Sequence, residues 1–160
     1  VSPAEVSAVV LGVGNVLLGD DGVGVHVARV LEAEGGLPEG TRVLDGGTLG
    51  LDLLPMLDGA RSVVIIDALD SGAPPGTVTV LHGDEVGAVL AGALSAHQVG
   101  VADLLAAARL TGRLPAHLAL VGVQPAAIEV RLDLTAALRD AVPTVIASVR
   151  QELEEAREAA

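Results

Sequence analysis

Two adjacent carboxylates, a third beyond an apolar run and one histidine at the head of a helical stripe carry the clearest chemistry in this 160-residue chain. Asp20 and Asp21 stand in GVGNVLLGDDGVG, residues 12–24; Asp67 follows VVII; His97 lies in SAHQVGVADLL. Asp21, Asp67 and His97 would make a two-oxygen, one-nitrogen set suited to a borderline divalent ion, nickel or zinc, with positions left open. No HExxH or comparable local spacing announces such a site. Each residue also has a plainer reading: Asp20 or Asp21 as a helix cap, Asp67 as a turn residue, His97 as a buried structural histidine on the stripe of Val101 and Leu105. The N-terminal end of a helix disfavours imidazolium and so favours for His97 the neutral ring that a metal requires. His26, His82 and His117 read as surface or packing residues.

Composition narrows the chemistry further. The chain has no Cys, Lys, Phe, Tyr or Trp, which excludes thiol nucleophiles, Schiff bases, P-loop lysines and aromatic stacking platforms. A formal net charge of −12 argues against nucleic acid and anionic membrane, and for a cation, a metal or a protein as partner. The uncharged run 6–19 is too short and too interrupted to span a bilayer, the first residues lack a basic leader, and the missing cysteines fit a reducing cytoplasm. No GxSxG elbow is present, so a Ser-His-Asp triad is not expected.

Positioning these residues takes alternating strands and helices. Residues 9–11 read as a buried strand entering the glycine-rich loop, and Val23, Val27, Val30 and Leu31 repeat at helical spacing. Strands are expected over 41–44, 62–66, 77–81 and 118–123, the 77–81 segment being a half-exposed edge by its Thr/Val alternation. A short helix is expected over 49–57, another over 85–91, a longer one from about Ser95 to Gly112, and a last one from Thr135, interrupted by Pro143 and fraying in EEAREAA. The pattern predicts one α/β domain over 1–160, a three-layer sandwich with a mostly parallel sheet and helices on both faces.

The opening motif is not a dinucleotide cradle. Gly12 and Gly14 fit one, but Leu17 fills the third glycine position, and Asp20-Asp21 would repel a pyrophosphate where the helix dipole should attract it. Gly22 and Gly24 weaken the first helical turn and imply that backbone must pass closely there. In an open parallel sheet the loops beyond the carboxyl ends of the first and third strands would bring Asp21 and Asp67 together.

In order along the chain, LGVGNVLLGDDGVGVHVARVLE, LDGGTLGLDLL, VVIIDALD, PGTV, SAHQVGVADLLAAARLTGRLP and LVGVQP resemble the nickel-iron hydrogenase maturation endopeptidases. The likeness covers residues 9–125 and, more loosely, the final helix. It implies a cytoplasmic endopeptidase that removes the C-terminal extension from the nickel-loaded precursor of a hydrogenase large subunit. The family's metal-contacting positions fall on Asp21, Asp67 and His97, with nickel supplied by the substrate and zinc or another divalent ion able to occupy the site. The resemblance also implies a twisted, mainly parallel sheet of about five strands with the Thr77 strand antiparallel at one edge. Asp20 is a candidate helper or general base, and Asp45, in DGGT, a candidate for positioning the substrate tail; a helix cap and a glycine turn are their plainer readings. Ala126 stands where the family often has an acidic residue, and IEVRLDLTAALRD is only loosely family-like. Two rivals share the ligands: a metal-dependent aminopeptidase or amidohydrolase acting on small substrates, and a nickel-binding maturation chaperone that does not cut.

Overall fold

In the computed structural model, which describes residues 6–92 and 95–160 without the side chains of residues 96 and 97, five strands form one sheet. They are β1 (Ala8–Val13), β2 (Thr41–Gly47), β3 (Ser62–Ala68), β4 (Val78–His82) and β5 (His117–Val123), in the order β2-β1-β3-β5-β4. All neighbours are parallel except β4, which runs antiparallel to β5 at the edge. The helices are α1 (Val23–Glu34), α2 (Asp84–Ala91), α3 (Ala96–Leu110) and α4 (Ala136–Glu158), with 3₁₀ turns at Asp20–Gly22 and Gly50–Leu57.

Strand side chains alternate between faces, and the alternation sorts the core into two layers. Val10, Val64, Ile66, Val121 and Val123 pack on Val27 and Leu31 of α1 and on Leu138, Val145 and Val149 of α4. Val9, Leu11, Val63, Ile65 and Leu120 pack on Leu53 and Leu57 of the second 3₁₀ segment, Val86 and Leu90 of α2, and Val101 and Leu104 of α3. This is the expected three-layer sandwich, with β1 and β3 buried on both faces as continuous β-branched and leucine runs require.

Several boundaries differ from the sequence reading for identifiable reasons. β3 extends through Asp67 and Ala68, because Asp67 still pairs with Gly122 of β5; the polar residue is inside the ladder rather than in a turn after it. β2 likewise runs on to Gly47, with Gly12 opposite Asp45. Residues 50–57 wind as 3₁₀ rather than α-helix, with Pro55 inside. Pro143 does not interrupt α4: its side chain is exposed, so the Arg139 carbonyl deprived of an N–H partner faces water instead of the core. EEAREAA does not fray at its start, since α4 continues to Glu158, supported by buried Glu152 and Leu153 and by the Arg157–Glu154 ion pair at 2.9 Å. No helix among the described residues is long and apolar enough to cross a membrane.

Candidate functional site

The site lies at the carboxyl ends of β1 and β3, where the chain leaves adjacent parallel strands and open α/β sheets form their crevices. Here the glycines of the opening motif act by having no side chain. A methyl group on Gly24 would overlap the Ile66 carbonyl oxygen, and one on Gly12 would overlap that of Gly24. The first turn of α1 therefore rests directly on β1 and on the residue preceding Asp67. Gly14, at φ 134°, lies under the Asp21 carbonyl, where a side chain would be both strained and obstructed. A Cβ on Gly22 would lie only 2.7 Å from the Cα of Val16.

That close packing brings the segment carrying Asp21 against the strand carrying Asp67. Asp21 is 7 % exposed, and its Oδ2 accepts the Asn15 N–H at 3.1 Å. Asp67 is 2 % exposed, and its Oδ1 accepts the Ala68 N–H at 2.8 Å. By strand alternation Asp67 shares the face of Val63 and Ile65, the face that α3 covers.

Residue 97 lies in the first turn of α3; the His97 side chain is outside the described residues. Two contacts anchor that turn. Ser95 is the N-cap, its Oγ accepting the Gln98 N–H at 3.3 Å, and Gln98 Nε2 donates to the Ala68 carbonyl at 3.0 Å. The glutamine of the HQ pair thus ties the start of α3 to the residue after Asp67. A cleft of about 360 Å³ opens here, lined by Asp21, Ala68, Asp70, Ser95, Gln98 and Ile128 among others. Another hollow, about 320 Å³, lies at the opposite end of the sheet beside Ser62, His117 and Leu153, and no carboxylate of the site reaches it.

Asp20 and Asp45 have other surroundings. Asp20 is fully buried, and its oxygens accept four hydrogen bonds: Oδ2 from the Ala126 and Ala127 N–H groups (2.9 and 3.2 Å) and the Thr135 hydroxyl (2.8 Å), Oδ1 from the Thr135 N–H (2.8 Å). Burial alone raises its pKa, but the donors of Thr135, Ala126 and Ala127 outweigh burial and hold the carboxyl below its ordinary value. With its acceptor sites taken by loop 126–135, Asp20 is built as a clamp on the N-cap of α4 rather than as a base facing water. Nor does it cap its own helix: the 3₁₀ turn and α1 start at Gly19 and Gly22 without side-chain caps.

Asp45 accepts the Gly47 N–H through Oδ1 at 3.1 Å and pairs with Arg29 at 3.3 Å on the surface. It occupies the edge strand β2, with β1 between it and β3. The side chain at 126 is immaterial to the Asp20 clamp, which uses the Ala126 backbone.

The sequence reading overlooked Asn15, Gln98 and Gln124. Gln124 accepts the Ser71 N–H (2.8 Å) and donates to Asp70 Oδ1 (3.1 Å), fastening the loop after β3 beside the cleft. The GN, HQ and VGVQP motifs contained all three. Their amides act on backbone or neighbouring side chains, which residue type alone does not reveal.

Comparison with known proteins gives a consistent answer. Residues 25–152 match a family model described as hydrogenase maturation protease, a match that includes Asp67 and residue 97 but begins after Asp21. The chain is 42 % identical over 147 residues to the hydrogenase 2 maturation protease of Escherichia coli K12, covering 91 % of this chain and 85 % of that protein. It is also 42 % identical over 134 residues to the hydrogenase expression/formation protein HupD of Rhodobacter capsulatus, where it spans only 62 % of the relative's length. The fold superposes on the E. coli hydrogenase maturating endopeptidase HybD with a TM-score of 0.89 at 39 % identity, covering 93 % of each chain. A nickel-iron hydrogenase maturation protease, HybD of Thermococcus kodakarensis, matches with a TM-score of 0.77 at 29 % identity, covering 91 % and 97 %.

Proposed function

Since this chain belongs to the hydrogenase maturation protease family, we propose that it is the endopeptidase that removes the C-terminal extension of a hydrogenase large-subunit precursor, in the cytoplasm, after nickel insertion. The observation that carries the reading is the packing of the turn carrying Asp21 against the strand carrying Asp67, beside a cleft lined by Asp21 and by the start of α3. Two buried carboxylates with an imidazole from residue 97 are a donor set for a borderline divalent cation. The nickel is part of the substrate in this reading: held by precursor thiolates, it presents the enzyme with a cation to grip, and zinc or another divalent ion could take the same place.

Recognition of this kind makes cleavage conditional on metal insertion. A precursor without nickel has no differential affinity to offer the site and is not held. The backbone N–H bonds from Asn15 and Ala68 orient Asp21 and Asp67 before substrate arrives, which lowers the ordering cost of binding. With no cysteine in the chain, the simplest hydrolysis uses water: its oxygen attacks the scissile carbonyl carbon, the C–N bond breaks, and the leaving amine takes a proton. Asp20 serves as a positioning residue that sets loop 126–135 beside the cleft, and Asp45 borders the rim where a substrate tail could pass.

The test is incubation of the purified protein with nickel-loaded and nickel-free precursor, read by mass spectrometry. Loss of one C-terminal peptide from the nickel-loaded form alone is the expected result. Equal cutting of both forms would remove the nickel from recognition. No cutting of either, with retained binding, would make the protein a chaperone, and hydrolysis of short peptides alone would make it an aminopeptidase or amidohydrolase.

A further inference from the structure

At the rim opposite the cleft, three elements converge on one buried carboxylate. Glu152 of α4 is 5 % exposed. His82, the last residue of β4, places Nε2 2.9 Å from both of its oxygens, and His117, the first residue of β5, places Nε2 3.0 Å from Oε2. The rings stand edge to face, centroids 6.0 Å apart. One turn further along α4, the exposed Glu155 brings a carboxylate oxygen into the same group: donor atoms of His82, Glu152 and Glu155 all lie within 4.8 Å of one another.

We propose that His82, Glu152 and Glu155 form a second divalent-cation site, of the zinc class, with His117 orienting Glu152. The donor chemistry is one imidazole nitrogen and two carboxylates, a three-ligand set that leaves a position for water. Tetrahedral zinc with bonds of about 2.0–2.1 Å separates its donors by about 3.3 Å, so the 2.9 Å between His82 and Glu152 opens only slightly to admit the ion. His117 Nε2–H donates to Oε2 from the side, the hydrogen bond that a ligating carboxylate ordinarily receives from an outer partner.

Charge and access point the same way. Burying an ionised carboxylate is expensive unless a cation compensates it, and among the described residues the ionic partners of Glu152 are the two imidazoles, with no arginine. The His82 side chain is 49 % exposed, so the ion has an entry from solvent. The site is separate from the cleft: His117 pairs with Ser62 at the start of β3, five residues before Asp67, a separation of roughly 16 Å along the strands. Bound there, the cation would staple the long helix to the antiparallel edge of the sheet.

The experiment uses untagged full-length protein carrying Asp67→Asn and His97→Ala, which disable the cleft set, titrated with zinc chloride by calorimetry and thermal unfolding. One retained equivalent of zinc and a rise in Tm are expected. Adding His82→Gln and Glu155→Gln, in which the new amide at position 82 can still donate to the buried Glu152 carboxylate, should weaken that binding at least about tenfold and remove the Tm rise, with the fold of the metal-free variant checked by circular dichroism. His117→Gln alone should weaken it by about tenfold, as loss of an outer partner does. If the parent double variant binds no zinc, or if His82→Gln/Glu155→Gln binds it as the parent does, the site does not exist. Neither result touches the processing activity, which the precursor assay reads separately.

Discussion

The two ends of the sheet hold carboxylates by different means. At the cleft rim, Asp21 and Asp67 receive backbone N–H groups from residues close in sequence, Asn15 and Ala68. At the far rim, Glu152 receives imidazoles 70 and 35 residues away. The first arrangement depends on local chain geometry and close backbone packing, the second on the assembly of β4, β5 and α4. A site built locally leaves a motif; one built by tertiary assembly leaves scattered residues that look ordinary one at a time.

The largest effect should come from the cleft rim. Asp67→Asn preserves shape and can keep the Ala68 N–H bond, yet halves the carboxylate charge available to a cation. Loss of an outer-shell partner already costs 10–100-fold in comparable sites, so cleavage of nickel-loaded precursor should fall by about 100-fold or more while Tm moves little. Full activity in this variant would break the contrast between the rims, because Asp67 would then be as structural as Glu152.

Asp20 sharpens the contrast within the motif itself. It sits beside Asp21 yet serves the fold, accepting four hydrogen bonds from loop 126–135. Asp20→Asn places an NH₂ among donors and should destabilise the protein by about 3 kcal/mol, lowering Tm by roughly 6–12 °C for a chain of this size. Its depressed pKa fixes the pH dependence. The charged form is preferred in the folded state, so the stabilisation is present above the ordinary 3.8 and is lost as pH falls through the lower folded value. The Tm gap between wild type and Asp20→Asn should therefore narrow in acid; a constant gap would mean the charge contributes nothing.

These cases show what the sequence disclosed. Layering, the five strands and the edge position of the Thr77 strand were legible because periodicity and β-branched runs encode burial directly, whereas its antiparallel direction came with the family resemblance. That the segments carrying Asp21 and Asp67 lie side by side was legible because strand ends in parallel sheets share a rim. The roles of Asp20 and Asp21 could not be divided, since the donors to Asp20 lie more than 100 residues away. Asp67 was placed beyond its strand because residue type suggested a turn, whereas pairing with Gly122 decides. His82 and His117 passed as surface or packing residues because nothing local connects them to Glu152.

His26 offers a smaller effect on the α1 side of the sheet. Burial first, then the nearby Arg29 charge, lowers its pKa, and its Nε2 is buried without a hydrogen-bond partner. The unfolded chain takes up a proton below about 6.5 that the folded one refuses, so stability should decline as pH drops below that value toward the depressed folded one. In His26→Gln the decline over that window should be shallower; an unchanged slope would assign the pH dependence to other groups.

The smallest effect belongs to Asp45, at the outer edge of the cleft rim. Its pair with Arg29 spans 3.3 Å between side chains 57 % and 43 % exposed, and such surface pairs contribute about 0–1 kcal/mol. In Asp45→Asn the amide oxygen can still accept the Gly47 N–H, so the turn survives. Stability should change by less than about 0.5 kcal/mol, and processing should stay within about twofold, because only the weak surface attraction is lost. A tenfold fall in kcat/KM with Tm unchanged would instead put Asp45 among the groups gripping the substrate. The functional rim would then extend across β1 to the sheet edge, and the boundary between working and structural carboxylates would lie outside β2 rather than between Asp20 and Asp21.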